Sequence, residues 1–322
     1  MTQSTKQVWT FQPEDMHDLE FQPALSVLAA VLPDPAGDEA AGALTYLGPS
    51  GRATLVAACQ STNALQRINA SSSLQAIQDP LLVETLLTLL KDDVPKVRFN
   101  ALMATAGNWD PRFVEPLIAL FRDPHFQIRQ QSAQWLGLHE STDRAPTYVA
   151  LLRDPDPEVQ ACALKVLAQI SQSAIPRADL VRLLASPRLD TVSLALNLLK
   201  QGQTAEFLAQ RRLTDPPYPA QRDTNLLSSA ETAPLTTNRL TMARLMGLKI
   251  LRQNADAQAV ALTLPLLRDT NSIVRNRAFA LLQTVTGQAI PQNDPAKWEL
   301  CWAANQATFV APKPQPGSWT EP

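Results

Sequence analysis

The sequence predicts an all-α protein in which helix pairs stack side by side as an α-α superhelix. Three observations favour this fold. The 322-residue chain is rich in leucine and alanine but has only 10 glycines and 3 tyrosines, a composition that favours helices over sheets. A turn followed by helically spaced apolar residues recurs along the chain, and a second apolar segment precedes most of these recurrences. A unit that recurs at a fixed spacing is typical of a repeat architecture.

The recurring segment is clearest in three copies whose turn acids are 31 residues apart, as in FRDPHFQIRQQSAQWLG (121–137). Valine or isoleucine stands five positions after the acid, arginine or glutamine six positions after it, and a small residue nine positions after it. The best copies hold these residues as Asp92, Val97, Arg98 and Ala101; Asp123, Ile128, Arg129 and Ser132; Asp154, Val159, Gln160 and Ala163; and Asp269, Val274, Arg275 and Ala278. Weaker copies begin at Ser61, Ser186 and Asp34. The spacing predicts one helix per copy, called helix B.

A second apolar segment ends just before most of these turns and predicts a preceding helix A. Examples are PLLVETLLTLL (80–90), PRFVEPLIALF (111–121), APTYVALL (145–152), IPRADLVRLLA (175–185) and DAQAVALTLPLL (256–267). Several begin with proline at or near the first helical position, where its missing N–H costs nothing. The repeating unit is therefore helix A, a tight turn, helix B and a short link.

This layout resembles the HEAT-repeat family, in particular its short bacterial form with the D-P-x-x-x-V-R-x-x-A signature. The resemblance covers roughly residues 20–286 and implies about eight antiparallel helix pairs in a right-handed solenoid, plus a C-terminal cap helix. In that family the arginine of the signature commonly pairs with the aspartate of its own or the adjacent repeat. We therefore expect the arginine series to form a structural ladder rather than a ligand site. Its members are Arg67, Arg98, Arg129 and Arg275.

The expected organisation has three parts. Residues 1–19 are an N-terminal extension, residues 20–306 are the solenoid, and residues 307–322 are an extended tail rich in proline. One repeat departs from the rhythm, with helix A expected at 204–213 and helix B at 238–251. The intervening insertion, at about 214–237, is long for a loop between repeats, and such loops are usually functional or disordered.

The insertion is the best candidate for partner contact, since tyrosine and arginine are the side chains that most often anchor interfaces. The candidate partner-binding residues are Tyr218, Arg222, Asp223, Arg211, Arg212 and Trp109. Trp109 lies in the link GNWDP between two repeats and is expected to be exposed. Trp135, twelve positions after its turn acid, is expected to be more buried than Trp109.

The C-terminal segment 285–306 resembles the closing segment of many bacterial HEAT-type proteins, a T-G turn followed by D-P-x-x-W-x-x-x-W. A helix near 294–305 would place Trp298 and Trp302 on one face. The last repeat of a solenoid has an uncovered apolar side that needs such a cap. We expect the tryptophans to cap the array; an aromatic ligand site is the alternative.

The sequence offers little catalytic chemistry. The histidines, His17, His125 and His139, do not form H-E-x-x-H or stand beside a cysteine at metal-ligand spacing, and no phosphate-binding glycine motif is present. We expect no catalytic residues, no cofactor and no metal. The chain has no apolar stretch of membrane-spanning length and no apolar leader. Three widely spaced cysteines, Cys59, Cys162 and Cys301, favour a reducing compartment, and the expected localisation is cytoplasmic.

Charge is distributed unevenly. Residues 1–50 contain one lysine against seven acidic residues, while residues 175–285 contain 14 Lys or Arg against 8 Asp or Glu. Three functions compete. The leading one is a non-catalytic scaffold that holds a protein partner on its concave face. The second is a bilin lyase or lyase-like chaperone, because the short repeat resembles that of phycobilisome lyase subunits. The third is a nucleic-acid-binding module of the HEAT-like DNA glycosylase class, which would use the basic second half.

Overall fold

In a computed structural model of the chain, the structure describes residues 22–210, 227–291 and 294–310. Within these ranges the chain forms 17 α-helices joined by turns and short 3-10 segments, without a strand. The predicted all-α fold is confirmed. The chain divides into two compact units, residues 1–139 and residues 140–322.

The first unit contains four helix pairs, in which the odd-numbered helix is helix A and the even-numbered helix is helix B. They are α1 (Gln22–Val31), α2 (Gly37–Thr45), α3 (Gly48–Ala58), α4 (Ala64–Ser73), α5 (Val83–Leu89), α6 (Pro95–Ala104), α7 (Val114–Ala119) and α8 (Phe126–His139). Single 3-10 turns at Pro80–Leu82 and Pro111–Phe113 precede α5 and α7. The predicted helix A segments at 80–90 and 111–121 are thus found in place.

The second unit contains four further pairs and a last helix. They are α9 (Ala145–Leu151), α10 (Pro157–Ile170), α11 (Arg177–Leu183), α12 (Leu189–Gln210), α13 (Ser229–Thr236), α14 (Thr241–Asn254), α15 (Ala257–Thr263), α16 (Ser272–Thr286) and α17 (Pro295–Asn305). The described ranges therefore hold eight helix pairs plus a C-terminal helix, as expected. The handedness of the superhelix stays a prediction.

The turn acid closes the turn before helix B instead of capping the helix itself. Oδ1 of Asp92 accepts from the backbone N–H of Val94, and Oδ1 of Asp269 accepts from that of Asn271, each at 2.8 Å. This is the aspartate turn that short polar side chains form with the backbone two residues on. The cap proper of α16 is Asn271, whose Oδ1 accepts from the N–H groups of Ile273 and Val274. The cap of α16 thus stands two residues after the turn acid.

The predicted register of helix B is seen in its burial. The valine or isoleucine five positions after the acid and the small residue nine positions after it are buried in all four of the best copies. These residues are Val97, Ala101, Ile128, Ser132, Val159, Ala163, Val274 and Ala278. A small side chain lets the helices of a pair approach closely, and Ser132 also donates a hydrogen bond to the carbonyl of Leu117 on α7.

The irregular repeat differs from the prediction. Residues 204–210 are not a separate helix A but the end of α12, which continues through Gly202 because one glycine costs a helix only about 1 kcal/mol. Helix A is α13, within the expected insertion, and it packs against α14. It begins with a capping box in which Ser228 and Glu231 exchange hydrogen bonds with each other's backbone N–H. Leu227 and Leu235 are fully buried, so the segment 227–237 contributes side chains to the core.

The expected burial of Trp135 in the core is not found. Both Trp109 and Trp135 are half-buried. Residues at the position of Trp135 in other repeats are smaller and fully enclosed, as Ala104 and Val166 are. An indole is too large for that space. It lies partly in solvent, and its Nε1–H donates to the carbonyl of Leu102 at 3.1 Å.

The C-terminal helix covers the apolar side of the last repeat. Trp298 on α17 is buried in the same core as Leu264 and Leu281, and its ring meets that of Phe279 edge-on at 6.2 Å. Trp302 packs partly buried against the same core and meets the ring of Phe309 at 5.3 Å. The described part of α17 thus occupies the place that the cap prediction assigned to it.

Candidate partner-binding surface

The arginines of the repeat signature pack between repeats. In the first unit, Nε of Arg67 lies 2.8 Å from Oδ2 of Asp92, and Nε of Arg98 lies 2.6 Å from Oδ2 of Asp123. In the second unit, Arg244 makes the same ion pair with Asp269 at 2.6 Å. Each pair joins a helix B to the turn of the next repeat. The ladder expected for Arg67 and Arg98 is confirmed, and these residues are not available to a ligand.

The ladder also sets the protonation of its acids. Burial, the largest single effect, raises the pKa of Asp123, but the hydrogen bonds from Arg98 and from the backbone N–H of His125, together with the charge of Arg98, outweigh it and hold the pKa of this carboxyl below its ordinary value. The same balance, with Arg67 as the donor, lowers the pKa of Asp92. Both acids are therefore charged at neutral pH and are matched by an arginine within hydrogen-bonding distance.

Arg129 and Arg275 make the local contacts of the same pattern. The Nη1 of Arg129 donates to the carbonyls of Asp123 and Pro124, and that of Arg275 donates to the carbonyls of Asp269 and Thr270. These bonds tie each arginine to the turn that precedes its own helix.

One side of each helix B packs against helix A, and its flanks pack against neighbouring repeats. The stripe left uncovered consists of positions four, seven and eleven after the turn acid. We call this stripe the B face. In the first unit it is half-apolar on α4 and α6, where Ile68, Phe99 and Met103 are half-buried. The ammonium of Lys96 lies 5.6 Å from the centre of the Phe99 ring. On α8 the stripe is glutamine at all three positions.

The B face of the second unit changes character along the chain. On α10 and α12 its charged residues are paired. Glu158 binds Arg188, and the Nζ of Lys165 lies 3.6 Å from Oδ2 of Asp190. Because these charges already satisfy one another, this part of the face offers a partner little beyond a neutral, solvated surface.

On α14 and α16 the B face is apolar and basic. Met242 and Ile273, at equivalent positions of two adjoining helices, are 50% and 54% exposed. Leu245 is half-buried, and Lys249 and Asn276 are exposed. The sequences of the two helices contain five Lys or Arg and no Asp or Glu. We call Met242, Leu245, Lys249, Ile273 and Asn276 the α14/α16 patch.

The patch was missed by the sequence reasoning, although its signal was present. The position four after the turn acid is Lys96, Gln127 and Glu158 in three successive repeats but Ile273 in the last one. Before α14 Asn238 stands in place of the acid, and the position four after it is Met242. Polar residues at the first three and apolar residues at the last two distinguish a solvated face from a candidate contact surface.

The candidate residues named from the sequence are placed as follows. Trp109 is half-buried and stacks on the imidazole of His139 with 4.2 Å between ring centres. It also meets the ring of Phe113 edge-on. Trp109 is therefore part of a packed aromatic cluster. The expectation that it is exposed is wrong. The others, Tyr218, Arg222, Asp223, Arg211 and Arg212, lie outside the described residues.

Among the residues that the structure describes, no three His, Cys, Asp or Glu side chains converge as a metal site would require. None of the helices in the described ranges is long and apolar enough to cross a membrane.

The comparisons with solved structures give low similarity over most of the chain. Human deoxyhypusine hydroxylase in complex with glycerol is 17% identical, over 84% of this chain and 98% of that one, with a TM-score of 0.32. The CpcE and CpcF complex of phycocyanin lyase from Nostoc sp. PCC7120 is 15% identical, over 80% and 94%, with a TM-score of 0.37. An archaeal HEAT-like repeats protein from Thermococcus onnurineus NA1 is 16% identical, over 82% and 97%, with a TM-score of 0.27. No curated protein matches the sequence.

The family comparison gives a direct answer for the middle of the chain. Residues 114–200 match the model of HEAT repeats. Helix pairs with the same turn, the same buried positions and the same arginine–aspartate contacts occur before and after this range. The chain thus contains a segment of HEAT repeats, residues 114–200.

Proposed function

We propose that this protein is a non-catalytic scaffold that holds a partner protein on its B faces, with the α14/α16 patch as the anchor. The observation that carries the proposal is the pair of half-exposed apolar side chains, Met242 and Ile273, on adjoining helices that hold cations but no acids. Apolar side chains grouped on a surface and rimmed by charge are typical of protein interaction sites.

The chemistry of the patch defines the partner. The methionine and isoleucine side chains would bury apolar side chains of the partner, and Lys249 would attract carboxylates at the edge. An amphipathic helix with an apolar stripe and acidic flanks meets both requirements. Complementary charge would speed the encounter more than it would strengthen the complex.

The same features argue against a phosphate backbone as the ligand. The arginines that would bind phosphates most strongly are held elsewhere, since Arg244 is committed to Asp269. The centre of the patch is apolar and cannot contact phosphate. A nucleic acid would therefore use only the outer cations, and its binding would weaken steeply with salt.

The test compares two variants in affinity capture from the source organism. Met242→Glu combined with Ile273→Glu places two carboxylates on the patch, where they would repel an acidic partner. Leu81→Glu, at a position 78% exposed in the first unit, is the matched control. We expect at least one protein to be retained by the full chain and by the control but lost, by about tenfold or more, from the double variant.

Three outcomes decide the matter. A protein whose capture depends on the patch and survives nuclease treatment supports the proposal. Capture that nuclease treatment abolishes would favour the nucleic-acid function. Identical sets of captured proteins for the double variant and the control would contradict the patch as the anchor. Thermal unfolding of all variants is recorded as the folding control, because surface substitutions usually change stability by less than about 0.5 kcal/mol.

A further inference from the structure

The first helix of the array, α1, has an uncovered apolar face. Its sequence, QPALSVLAAV, contains no charged residue. Among its side chains of described burial only Leu25 is buried, and Val27 is 64% exposed. Residues three and four apart share one side of a helix. The side that carries Val27 also carries three further apolar residues, which are exposed or half-buried, and we call the four the α1 face: Ala24, Val27, Leu28 and Val31.

The helix that ends the second unit is built differently. α17 buries Trp298 in the core of the last repeat and holds Lys297 and Glu299 on its exposed side. The terminal repeat of a solenoid needs such a polar outer surface to stay in solution. α1 packs against α2 and α3, but it has no charged side chain to offer to water. The α1 face therefore requires a cover.

The sequence just before α1 contains the side chains that a cover requires. Residues 8–20 hold five large apolar side chains and four acidic ones, namely Val8, Trp9, Phe11, Met16 and Leu19, and Glu14, Asp15, Asp18 and Glu20. Proline followed by acidic residues, as in PED (13–15), is typical of the start of a helix. In a helix that begins there, Met16 and Leu19 would share one side, and Glu14 and Asp18 would lie on the opposite side.

This segment is attached to the face that it would cover. Its last residue stands two positions before Gln22, where α1 begins. The ten residues of α1 form a helix about 15 Å long, and thirteen residues in a helix span about 20 Å. A turn of a few residues is enough to join two antiparallel helices. Because attachment raises the effective concentration to the millimolar range, the segment has an advantage over a second copy of the chain.

We propose that residues 8–20 fold back onto the α1 face and close this end of the repeat array. Met16 and Leu19 are buried against Val27 and Leu28, and the acidic side chains form the polar outer surface that α1 lacks. The cover keeps two copies of the chain from joining through α1. This inference concerns the first unit alone and does not depend on the proposed scaffold function.

Cysteine labelling of the full chain tests the cover. Val27→Cys places a thiol on the α1 face, and Tyr46→Cys places one at a position of the same unit that is 86% exposed. Alkylation by iodoacetamide is followed at each position by mass spectrometry. Adding Met16→Asp and Leu19→Asp should raise the rate at position 27 by about tenfold or more, because charged side chains do not stay buried against an apolar face. The rate at position 46 should not change.

A matched variant changes the opposite side of the same stretch. Glu14→Gln combined with Asp18→Asn should leave the rate at position 27 as low as in Val27→Cys alone. Cys59, which is buried in the first unit, should stay unlabelled in every variant and so reports that this unit is folded. The proposal is wrong if the rate at position 27 does not respond to Met16→Asp with Leu19→Asp, or if the matched variant raises it equally.

Sedimentation velocity distinguishes the attached segment from a second copy as the cover. The full chain should sediment as a monomer. Deletion of residues 2–20 should cause self-association, and adding Val27→Lys should reverse it. A full chain that dimerises, with labelling at position 27 that becomes faster on dilution, would show that a second copy covers α1 and would overturn the proposal. A deleted chain that stays monomeric would refute the role of the cover against self-association.

Discussion

Two interfaces between successive B helices, one in each unit, are packed in the same way but differ in the charged residues they contain. Between α6 and α8, Arg98 reaches the turn acid Asp123, whose side chain is 3% exposed. Between α10 and α12 the ladder positions hold Gln160 instead of arginine and Ser186 instead of aspartate. Both members of the pair are thus absent together, and neither a lone buried acid nor a lone buried cation is left behind.

The interface between α10 and α12 keeps the hydrogen bonds to the turn, but its ion pair lies at other positions, between Arg188 and Glu158. Nε2 of Gln160 donates to the carbonyl of Asp154, as Nη1 of Arg98 donates to that of Asp92. Oγ of Ser186 accepts from the backbone N–H of Arg188 at 3.2 Å and so still closes the turn. Closing the turn and forming the ion pair are therefore two separable roles of the turn acid. The signature arginine holds repeats together rather than binding a ligand.

The largest expected effect comes from breaking the buried pair. Arg98→Gln leaves Asp123 charged, buried and without its arginine, and should lower the free energy of unfolding by about 3 kcal/mol. Adding Asp123→Ser recreates the solution found between α10 and α12, and should recover most of this loss. Urea unfolding followed by circular dichroism measures both.

A double-mutant cycle of Arg98→Gln and Asp123→Ser measures the coupling between the two positions. The two single changes should not add, because each removes the partner of the other. If the double variant loses as much as the sum of Arg98→Gln and Asp123→Ser, the two positions act independently. The interpretation of the ladder as a matched pair would then be wrong.

The repeats could be predicted from the sequence because each feature of the repeat has a local cause. A turn acid, an apolar residue five positions later and a small residue nine positions later suffice to place a helix B, and Val97, Val159 and Val274 are buried as expected. The same reasoning fails at α13. A proline within a segment, here Pro234, is typical of a loop, whereas the capping box from Ser228 to Glu231 marks the start of a helix.

The candidate surface was harder to predict because it depends on which side of a helix the neighbours leave uncovered. Trp109 was expected to be displayed, but α8 brings His139 onto its ring. Met242 and Ile273 stand at a position that is polar in the regular repeats, and the sequence alone does not say that this position faces solvent. The indole N–H of Trp298 is buried without an acceptor among the described residues, and this depends on packing that no spacing rule describes.

A smaller effect is expected from Arg188→Ala. Arg188 binds both Glu158 and Asp190, but all three side chains retain contact with solvent. Partly exposed pairs contribute about 1 kcal/mol or less. The loss should shrink in about 0.5 M salt, which screens exposed charges but not buried ones. The loss caused by Arg98→Gln should persist at that salt concentration. Equal salt dependence of the two losses in urea unfolding would remove the distinction between the two interfaces.

The smallest expected effect concerns a pair with one buried and one exposed member. The carboxylate of Asp179 is 4% exposed, while the side chain of Arg153 is 67% exposed. Hydrogen bonds from Arg153 lower the pKa of Asp179 below its ordinary value of 3.8 despite the opposing effect of burial, and Arg182 adds to the lowering. Because the folded-state pKa is the lower one, the stabilisation is complete well above pH 3.8 and is lost as the pH falls through the folded-state value.

Asp179→Asn should therefore be less stable than the unmodified chain by less than about 1 kcal/mol at pH 7. This difference should narrow only below about pH 4, in urea unfolding measured from pH 7 to pH 3. Asp143→Asn, at an exposed carboxylate of the same unit, should show no such narrowing. A difference for Asp179→Asn that stays constant down to pH 3 would mean that it reflects packing, and that the charge of this acid contributes nothing to the interface.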